Sequence, residues 1–532
     1  MPVLSRSFVP LIAALSLGCR SLPAQHQGAA PAKPTLVLFL TVDQLRADYF
    51  ARFAPQLTGG LKLLHDQGAF YANGFQDHAI TETAPGHAST MSGRFPVHTG
   101  ITMNSLGVNT REAPLIGVGD IGASPFRFQG TTLTDWMRAA DKNTRVLSVS
   151  RKDRGAILPI GKSKSEVYWW ASNGTFTTSS YYADALPGWV TAFNAKKSAQ
   201  QYAGQQWNLL LPATAYPEPD SVTLESQGQD IVFPHAISAD SAAAARSFAG
   251  FPMMDSLTLA FALDGVRARE LGAKTGRTDL LAVSLSTTDA VGHRFGPDSR
   301  ELHDQVVRLD RYLGAFLDSL FKLRGREGIV IALTADHGVT PLPDAPSTNI
   351  PNPGTTRVDL APAYAEWSAK MLARGVPDSA HVFDEGVLFT MPALFKAAKV
   401  DVDAAALELA ALVKAVPGVA RADLFVDLAK ADPAKDKIAR RWLNMFAPDG
   451  NVRLAVTLTE FSYWKPVRIA THGSPWDNDA RVPILFFGWG VQPGAHSETV
   501  RTVDMAPTLA AILGVKPTEK LDGVPITSAL KK

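Results

Sequence analysis

The sequence contains three aspartates and three histidines whose types and positions could bind a metal ion. Each aspartate lies at the end of an apolar run, and a histidine follows two of them closely. The six residues are Asp43, Asp289, Asp336, His293, His337 and His472. Carboxylates and imidazoles are common metal ligands in proteins. Because six such polar groups would be costly to bury together without a partner, the pattern indicates a metal centre.

A candidate nucleophile lies in T-E-T-A-P-G-H-A-S-T, residues 81–90. Thr81 and Thr83 both precede what reads as a helix start. Threonine is an ordinary helix N-cap, and a proline just inside the first turn is equally ordinary. The segment alone therefore favours a capping role, and a catalytic role depends on what the rest of the chain places around it.

Three apolar runs must position these side chains. They are T-L-V-L-F-L-T-V-D (35–43), D-L-L-A-V-S-L-S-T-T-D (279–289) and G-I-V-I-A-L-T-A-D-H-G (328–338). Continuous runs of this kind are typical of strands buried on both faces of a parallel sheet. An amphipathic pattern over 303–324 predicts a crossover helix between the last two strands. We therefore expect an α/β fold with a mostly parallel central sheet and helices on both faces, which brings the three carboxylates to one sheet edge.

Several motifs together resemble the alkaline phosphatase superfamily, most closely its secreted PafA-type branch with a threonine nucleophile. The similarity covers nearly the whole chain after residue 24. The motifs are T-V-D-Q, T-A-P-G-H, G-I-T-M-N, R-K-D-R-G-A-I, D-A-V-G-H, A-D-H-G, T-H-G and V-D-M-A-P-T-L-A-A-I-L-G. No C-x-P-x-R motif is present, which argues against the sulfatase branch.

The resemblance implies two zinc ions per chain and a role for each metal-type residue. One zinc would be held by Asp289, His293 and His472, and the second by Asp43, Asp336 and His337. Thr83, directly before A-P-G-H, matches the family nucleophile, which also contacts the metal, whereas Thr81 does not. Two zinc ions about 4 Å apart can bind both the attacking and the leaving oxygen of an in-line displacement. Thr83 would become a threonyl phosphate that water then hydrolyses.

Asn104, Lys152 and Arg154 match the residues that reach the phosphoryl oxygens in this family. Taken alone, Asn104 could be a turn residue, and a K-x-R pair is usually solvated surface. Diesterases of the superfamily lack the Lys and Arg pair, so the resemblance implies hydrolysis of small phosphate monoesters. The alternative is a phosphodiesterase or nucleotide pyrophosphatase with the same zinc core. A third hypothesis, an inactive zinc-stabilised binding lipoprotein, is disfavoured because no motif residue is missing.

Composition and the first residues indicate an exported globular protein. The chain has 532 residues, is 46% hydrophobic and carries a formal charge of +2, so we expect no nucleic-acid binding. Residues 1–24 have the layout of a secretory signal, with cleavage near Leu22 to Ala24 favoured over lipid attachment at Cys19. We expect a periplasmic or secreted monomer without a transmembrane segment.

The predicted domain organisation is a catalytic core with two additions. The core comprises residues 25–338 and 472–532. An aromatic-rich insertion, residues 160–250, could pack over the pocket or form its own small core, and plain packing is the ordinary outcome. Residues 339–471 combine helical A-A-A-L-E-L-A-A-L-V-K with strand-like V-R-L-A-V-T-L, which predicts an inserted α+β cap.

Overall fold

The computed structural model describes residues 32–341, 356–465 and 470–532. The predicted signal segment and Cys19 lie outside these described residues. The strands, numbered along the chain, are β1 (Leu36–Val42), β2 (Ala69–Phe75), β3 (Val146–Ser150), β4 (Glu166–Trp170), β5 (Phe176–Thr177), β6 (Gln206–Trp207), β7 (His235–Ala236), β8 (Asp279–Leu285), β9 (Ile329–Thr334), β10 (Arg357–Val358), β11 (His381–Asp384), β12 (Val387–Thr390), β13 (Val419–Leu424), β14 (Val452–Leu458), β15 (Tyr463–Trp464), β16 (Arg481–Gly488), β17 (Gly494–His496) and β18 (Val500–Arg501).

The helices connect these strands and cover the central sheet. They are α1 (Tyr49–Arg52), α2 (Gly60–Gln67), α3 (Thr83–Ser92), α4 (Pro96–Thr99), α5 (Leu133–Ala140), α6 (Asp153–Ile157), α7 (Gly188–Ala195), α8 (Ser241–Ser247), α9 (Met253–Ala268), α10 (Thr287–Phe295), α11 (Arg300–Arg324), α12 (Ala361–Ala373), α13 (Pro392–Ala397), α14 (Val402–Lys414), α15 (Phe425–Leu428), α16 (Lys437–Leu443), α17 (Asp477–Ala480) and α18 (Met505–Leu513). In the described part of the chain, no helix is both long and apolar enough to cross a bilayer.

The main sheet has 10 strands in the order β17-β2-β16-β9-β1-β8-β3-β4-β5, with β18 also paired to β2. The five strands β9, β1, β8, β3 and β4 run parallel, whereas β16 is antiparallel to β9 and to β2. Parallel strands require crossover connections, and α11 provides the predicted one between β8 and β9, which lie on either side of β1. The predicted α/β class with a mostly parallel sheet is confirmed.

Both faces of the sheet are buried, as the continuous apolar runs predict. Strand β1 alternates between two cores: Leu38 and Leu40 contact one, and Val37 and Phe39 contact the other. The first core includes side chains of α2, α9, α10 and α11, and the second includes side chains of α3, α5, α6 and α18. Because each face carries its own helix layer, the parallel strands expose functional groups only at their ends.

The aromatic-rich region packs into the first of these cores. Phe176 stacks on Phe261 of α9 with ring centroids 4.0 Å apart, and Trp189 and Phe193 surround the same ring. Trp207 is buried in the same core. These aromatic side chains extend the first core, whereas Trp169 of the same region is buried in the second core.

Residues 356–465, called the insertion below, form a second layer of structure. Strands β11, β12, β14 and β13 make an antiparallel sheet in that order. Helices α12 and α14 pack on one face of it around Trp367 and Leu409. The other face joins α15 and α16 in a core that includes Ile80 and Met103 from the main body. The insertion thus contacts the segment that leads into α3.

Candidate active site

The carboxyl ends of four adjacent parallel strands meet at one edge of the sheet. Asp43 directly follows β1, and Asp336 and His337 follow β9 after one residue. Asp289 lies on α10, which follows β8, and Lys152 lies two residues after β3. In register, Val42 of β1 pairs with Leu285 of β8, and Thr41 pairs with Thr334 of β9. The four strands therefore end at the same level, which is where open parallel sheets bind ligands.

Asp43, Asp336 and His337 form the first ligand group. Nε2 of His337 lies 3.4 Å from Oδ1 of Asp43 and 3.7 Å from Oδ2 of Asp336. All three side chains are fully buried. Nδ1 of His337 is hydrogen-bonded to the carbonyl oxygen of Gly338, so Nε2 is the ring nitrogen that faces the carboxylates. This is the set that the sequence predicts for one metal ion.

Asp289, His293 and His472 form the second group. Oδ1 of Asp289 lies 3.0 Å from Nε2 of His293 and 3.6 Å from Nε2 of His472, and the two Nε2 atoms are 3.2 Å apart. Nδ1 of His293 is hydrogen-bonded to the carbonyl oxygen of Ala470, and Nδ1 of His472 is hydrogen-bonded to the carbonyl oxygen of Thr81. These bonds orient both rings so that Nε2 faces the carboxylate.

The two groups are neighbours and share a boundary at His337. Its ring stacks on that of His472, with centroids 3.5 Å apart. The ligand atoms of Asp289, His337 and His472 also lie within 4.8 Å of one another, as do those of Asp43, Asp336 and His337. The six predicted residues are thus brought together in two adjoining sets.

The arrangement fits metal binding. Within the described chain, neither Oδ1 of Asp43 nor Oδ2 of Asp336 accepts a well-formed hydrogen bond, although both are buried. The cation in closest contact is Lys152, whose Nζ lies 2.6 Å from Asp43 and 2.7 Å from Asp289. Lys152 thus contacts two of the three buried carboxylates. Tetrahedral zinc bonds of about 2.1 Å require ligand atoms about 3.4 Å apart, close to the separations in both groups.

Thr83 lies beside both groups. It is the first residue of α3, is 1% exposed, and its Oγ1 lies 3.5 Å from Nε2 of His337 and 3.2 Å from Nζ of Lys152. Thr81 instead donates its hydroxyl to the carbonyl of Ser474. The structure therefore places Thr83, and not the hydroxyl of Thr81, next to the candidate metal ligands.

The three predicted phosphate-binding residues differ in their contacts. Lys152 is in the site. Oδ1 of Asn104 accepts a hydrogen bond from the backbone of Ala84 at 2.9 Å, which holds its amide beside the start of α3. Arg154 lies on α6, where its Nη1 is 3.7 Å from Oδ1 of Asp153. Its approach to a phosphate is a prediction that these contacts leave untested.

Burial and neighbouring charges shift the pKa values of the ligands. Burial, with the carboxylates of Asp289 and Asp336, raises the pKa of Asp43. Burial has the same effect on Asp289, but the charge of Lys152 and the contacts of His293 and His472 together outweigh it and hold that pKa well below its usual range. Burial also lowers the pKa of His337 well below its ordinary value, whereas the contacts of His472 with Asp289, with the charges of Asp479 and Glu82, outweigh burial and raise the pKa of His472 to about 9.

Three further residues, to which no role could be assigned from the sequence, contact the site. Gln44 donates its backbone N–H to Asp336 and its amide to Asp289. His87 of α3 bonds to the carbonyl of Thr83, and its Nδ1 lies 3.2 Å from Asp336. Arg151 approaches Asp289 to 4.0 Å. Gln44, His87 and Arg151 lie inside the motifs T-V-D-Q, T-A-P-G-H and R-K-D-R, but only the fold shows their partners.

Comparison with known proteins places the chain in one family. Residues 37–402 match the family described as type I phosphodiesterase / nucleotide pyrophosphatase. The chain is 32% identical to the alkaline phosphatase PhoV of Synechococcus elongatus, over 94% of this chain and 94% of that protein. It is 33% identical to the alkaline phosphatase PhoK of a Sphingomonas species, over 93% of this chain and 91% of that protein.

A third relative, the alkaline phosphatase PafA of Elizabethkingia meningoseptica, is 30% identical over 96% of each chain. A crystal structure of wild-type PafA superposes with a TM-score of 0.86 at 28% identity and covers 94% of this chain and 99% of that one. A PafA variant with a threonine, an asparagine, a lysine and an arginine substituted superposes with a TM-score of 0.85. The chain therefore belongs to the type I phosphodiesterase / nucleotide pyrophosphatase family of the alkaline phosphatase superfamily, and it is an alkaline phosphatase of the PafA type.

Proposed function

We propose that this alkaline phosphatase is a two-zinc phosphomonoesterase that uses Thr83 as its nucleophile. One observation carries the proposal: Oγ1 of Thr83 lies 3.5 Å from Nε2 of the candidate ligand His337 and 3.2 Å from Nζ of Lys152. A threonine hydroxyl is a weak nucleophile unless a metal ion or a base activates it. Its position beside six metal-type ligands supplies such a setting.

The residues that would hold the metal ions are those of the two groups. Asp289, His293 and His472 would bind one zinc, and Asp43, Asp336 and His337 the other. Three protein ligands per ion leave a position open, as catalytic sites require. Zinc bound there would supply positive charge to the attacking and leaving oxygens of the displacement.

The chemistry assigned to the chain's own residues has two steps. Oγ1 of Thr83 loses its proton and forms a bond to phosphorus, while the bond from phosphorus to the leaving-group oxygen breaks. The leaving group then takes up a proton. In the second step water attacks phosphorus, the bond to Oγ1 breaks and Thr83 regains its proton. The start of α3 favours this place for an anion, because its first backbone N–H groups have no partner within the helix.

We further propose that the substrates are monoesters. A monoester presents two charges on its non-bridging oxygens at neutral to alkaline pH, and a diester presents one. Lys152, Asn104 and Arg154 would bind these oxygens, with Arg154 able to form two parallel bonds. The substituted PafA variant supports the assignment, because its four residue types occur in the same order as Thr83, Asn104, Lys152 and Arg154.

A phosphodiesterase is the second candidate, and the description of the matched family favours it. The two hypotheses share every metal ligand. They differ in whether the site binds a substrate with two negative charges, a monoester, or a substrate with one, a diester. A direct comparison of ester classes therefore separates them.

The experiment measures kcat/KM for an aryl phosphate and its methyl diester. Charge-assisted bonds are worth roughly 1.5–3 kcal/mol, so Lys152→Ala and Arg154→Ala should each lower monoester efficiency about tenfold to a hundredfold and affect the diester far less. Lys162→Ala, which removes an exposed lysine nearby, should leave both efficiencies unchanged. A wild type that prefers the diester, or equal losses for both esters, would favour the second candidate.

We also propose that the protein is exported through the signal in residues 1–24. The basic start, the apolar run after Arg6 and the small residues near Ala24 support this proposal. Mass spectrometry of protein purified from the cell envelope should show a chain that begins near residue 25. A lipid-modified Cys19 at the N-terminus would instead support the lipoprotein alternative.

A further inference from the structure

A buried arginine of the insertion contacts two segments of the main body at once. Arg441 lies on α16, and its side chain is only 2% exposed. Its Nη1 donates to the carbonyl of Pro475 at 2.7 Å and to Oδ1 of Asp477 at 2.8 Å. Its Nε lies 3.4 Å from Oδ1 of Asp77. The planar guanidinium therefore spans the gap between residue 77 and residues 475–477.

These two segments carry functional groups of the candidate active site. Asp77 precedes Thr83 by six residues, and Pro475 follows His472 by three. The segments also touch near the site itself. His472 bonds through Nδ1 to the carbonyl of Thr81 at 2.8 Å, and the Thr81 hydroxyl donates to Ser474 at 2.9 Å. Arg441 thus contacts both segments a few residues away from Thr83 and His472, which are the proposed nucleophile and a proposed ligand.

Two other basic residues of α16, Arg440 and Lys437, each contact only one of the two segments. Arg440 makes two bonds to the carboxylate of Asp77, at 2.9 and 3.0 Å, and is 35% exposed. Lys437 contacts Asp477 at 2.7 Å and is 45% exposed. The chain therefore offers two matched controls, in which one link to one segment is removed while the bridge between the segments stays.

We propose that Arg441 is a positioning residue for the phosphatase reaction, which sets the distance between Thr83 and His472 by bridging the segments that carry them. The inference rests on the proposed function, since it assigns His472 to zinc and Thr83 to the substrate. The planar fork of arginine can bond to two acceptors in fixed directions, whereas a lysine ammonium cannot reproduce that geometry. Small misplacements of reacting groups can lower rates about a hundredfold.

The test compares Arg441→Lys with Arg440→Met and Lys437→Met in the zinc-loaded enzyme. Arg441→Lys keeps a positive charge beside Asp77, which limits the destabilisation that an uncompensated buried carboxylate would cause. We expect kcat for an aryl phosphate to fall about tenfold or more with a smaller change in KM. We also expect zinc release to a metallochromic chelator at 25 °C to accelerate about tenfold or more, because residues that orient ligands affect metal affinity by this factor.

The controls and the wild type make each outcome informative. Arg440→Met and Lys437→Met should change both rates less than about threefold, because each removes a partly exposed cation while Arg441 keeps its contacts with both segments. If Arg441→Lys lowers the melting temperature but keeps the wild-type kcat and zinc-release rate, Arg441 is structural only and the inference is wrong. If Arg441→Lys does not fold, Asp477→Asn, which removes one acceptor of the bridge, should accelerate zinc release in the same direction, and an unchanged rate would overturn the inference. A wild type without bound zinc would instead overturn the proposed function.

Discussion

At the scale of single residues, Thr83 derives its proposed role from what surrounds it. Its hydroxyl has no special acidity of its own, and the same residue type occurs two positions earlier. The difference is that Thr83 Oγ1 faces His337 and Lys152, whereas the Thr81 hydroxyl is engaged by the Ser474 carbonyl. The contribution of Thr81 to the site comes from its backbone carbonyl, which orients His472.

Replacing each threonine by alanine separates these roles. Thr83→Ala should lower kcat by roughly a thousandfold or more, because the nucleophile is lost while the six ligands remain. Thr81→Ala keeps the carbonyl that binds His472 and removes one neutral hydrogen bond, so we expect a loss below about fivefold. Activity and zinc content measured on both purified variants provide the check. The opposite ranking would place the nucleophile at Thr81.

The residues with the strongest chemical signature could be predicted from sequence. The six candidate ligands and Thr83 lie in short motifs, and the fold brings them together. Gln44 and His87 lie in the same motifs, but their contacts with Asp336 depend on how α3 and β1 approach β9 in three dimensions. Arg441 could not be found in this way, because nothing in its local sequence indicates that α16 reaches residues 77 and 475.

At the scale of elements, α3 packs unusually close to the segment after β9. Gly86, in the first turn of α3, has no side chain at the contact. A Cβ atom there would lie 2.2 Å from the carbonyl oxygen of Asp336. The approach brings Thr83 and the ligands Asp336 and His337 to one place, and it requires glycine for steric reasons rather than for backbone conformation.

Gly86→Ala should therefore disturb both stability and activity. The added methyl group must push α3 away from Asp336, at a cost of about 1–3 kcal/mol for overpacking. We expect a lower melting temperature and a loss of turnover larger than that loss of stability explains. Gly188→Ala in α7 is the matched control, since no atom lies within 4 Å of its Cβ position. Calorimetry and kinetics that show equal behaviour for both variants would contradict this role for Gly86.

The elements themselves were predictable to different degrees. The continuous apolar runs of β1, β8 and β9 and the periodic pattern of α11 are strong signals, and all four elements form as expected. The insertion also contains the predicted helix and strand, as α14 and β14. The antiparallel pairing of β16 with β9 and with β2 could not be read from periodicity, because buried strands look alike in either direction.

At the scale of the whole molecule, the site joins distant parts of the chain. Asp43 and His472 are separated by most of the sequence, and the insertion lies between His337 and His472. Metal ions bound to both groups would therefore link β1, α10, β9 and the segment after the insertion. Without them, three buried carboxylates lie close together and repel one another.

Removal of zinc should therefore affect stability as well as activity. A ligand present at a hundred times its Kd stabilises the folded state by about 2.7 kcal/mol, and two sites add to this. Dialysis against a chelator should abolish phosphatase activity and lower the melting temperature, and added zinc should restore both. Full activity and an unchanged melting temperature in protein shown by elemental analysis to hold no metal would exclude the two-zinc proposal.

The central claim is that phosphate passes through Thr83, and the stereochemical course of hydrolysis tests it most directly. The substrate is a phosphorothioate monoester made chiral at phosphorus by oxygen isotopes, hydrolysed in isotope-labelled water. Each in-line displacement inverts the phosphorus centre, so attack by Thr83 followed by attack by water predicts net retention of configuration. Net inversion would show that water attacks the substrate in a single displacement and would contradict the covalent role of Thr83.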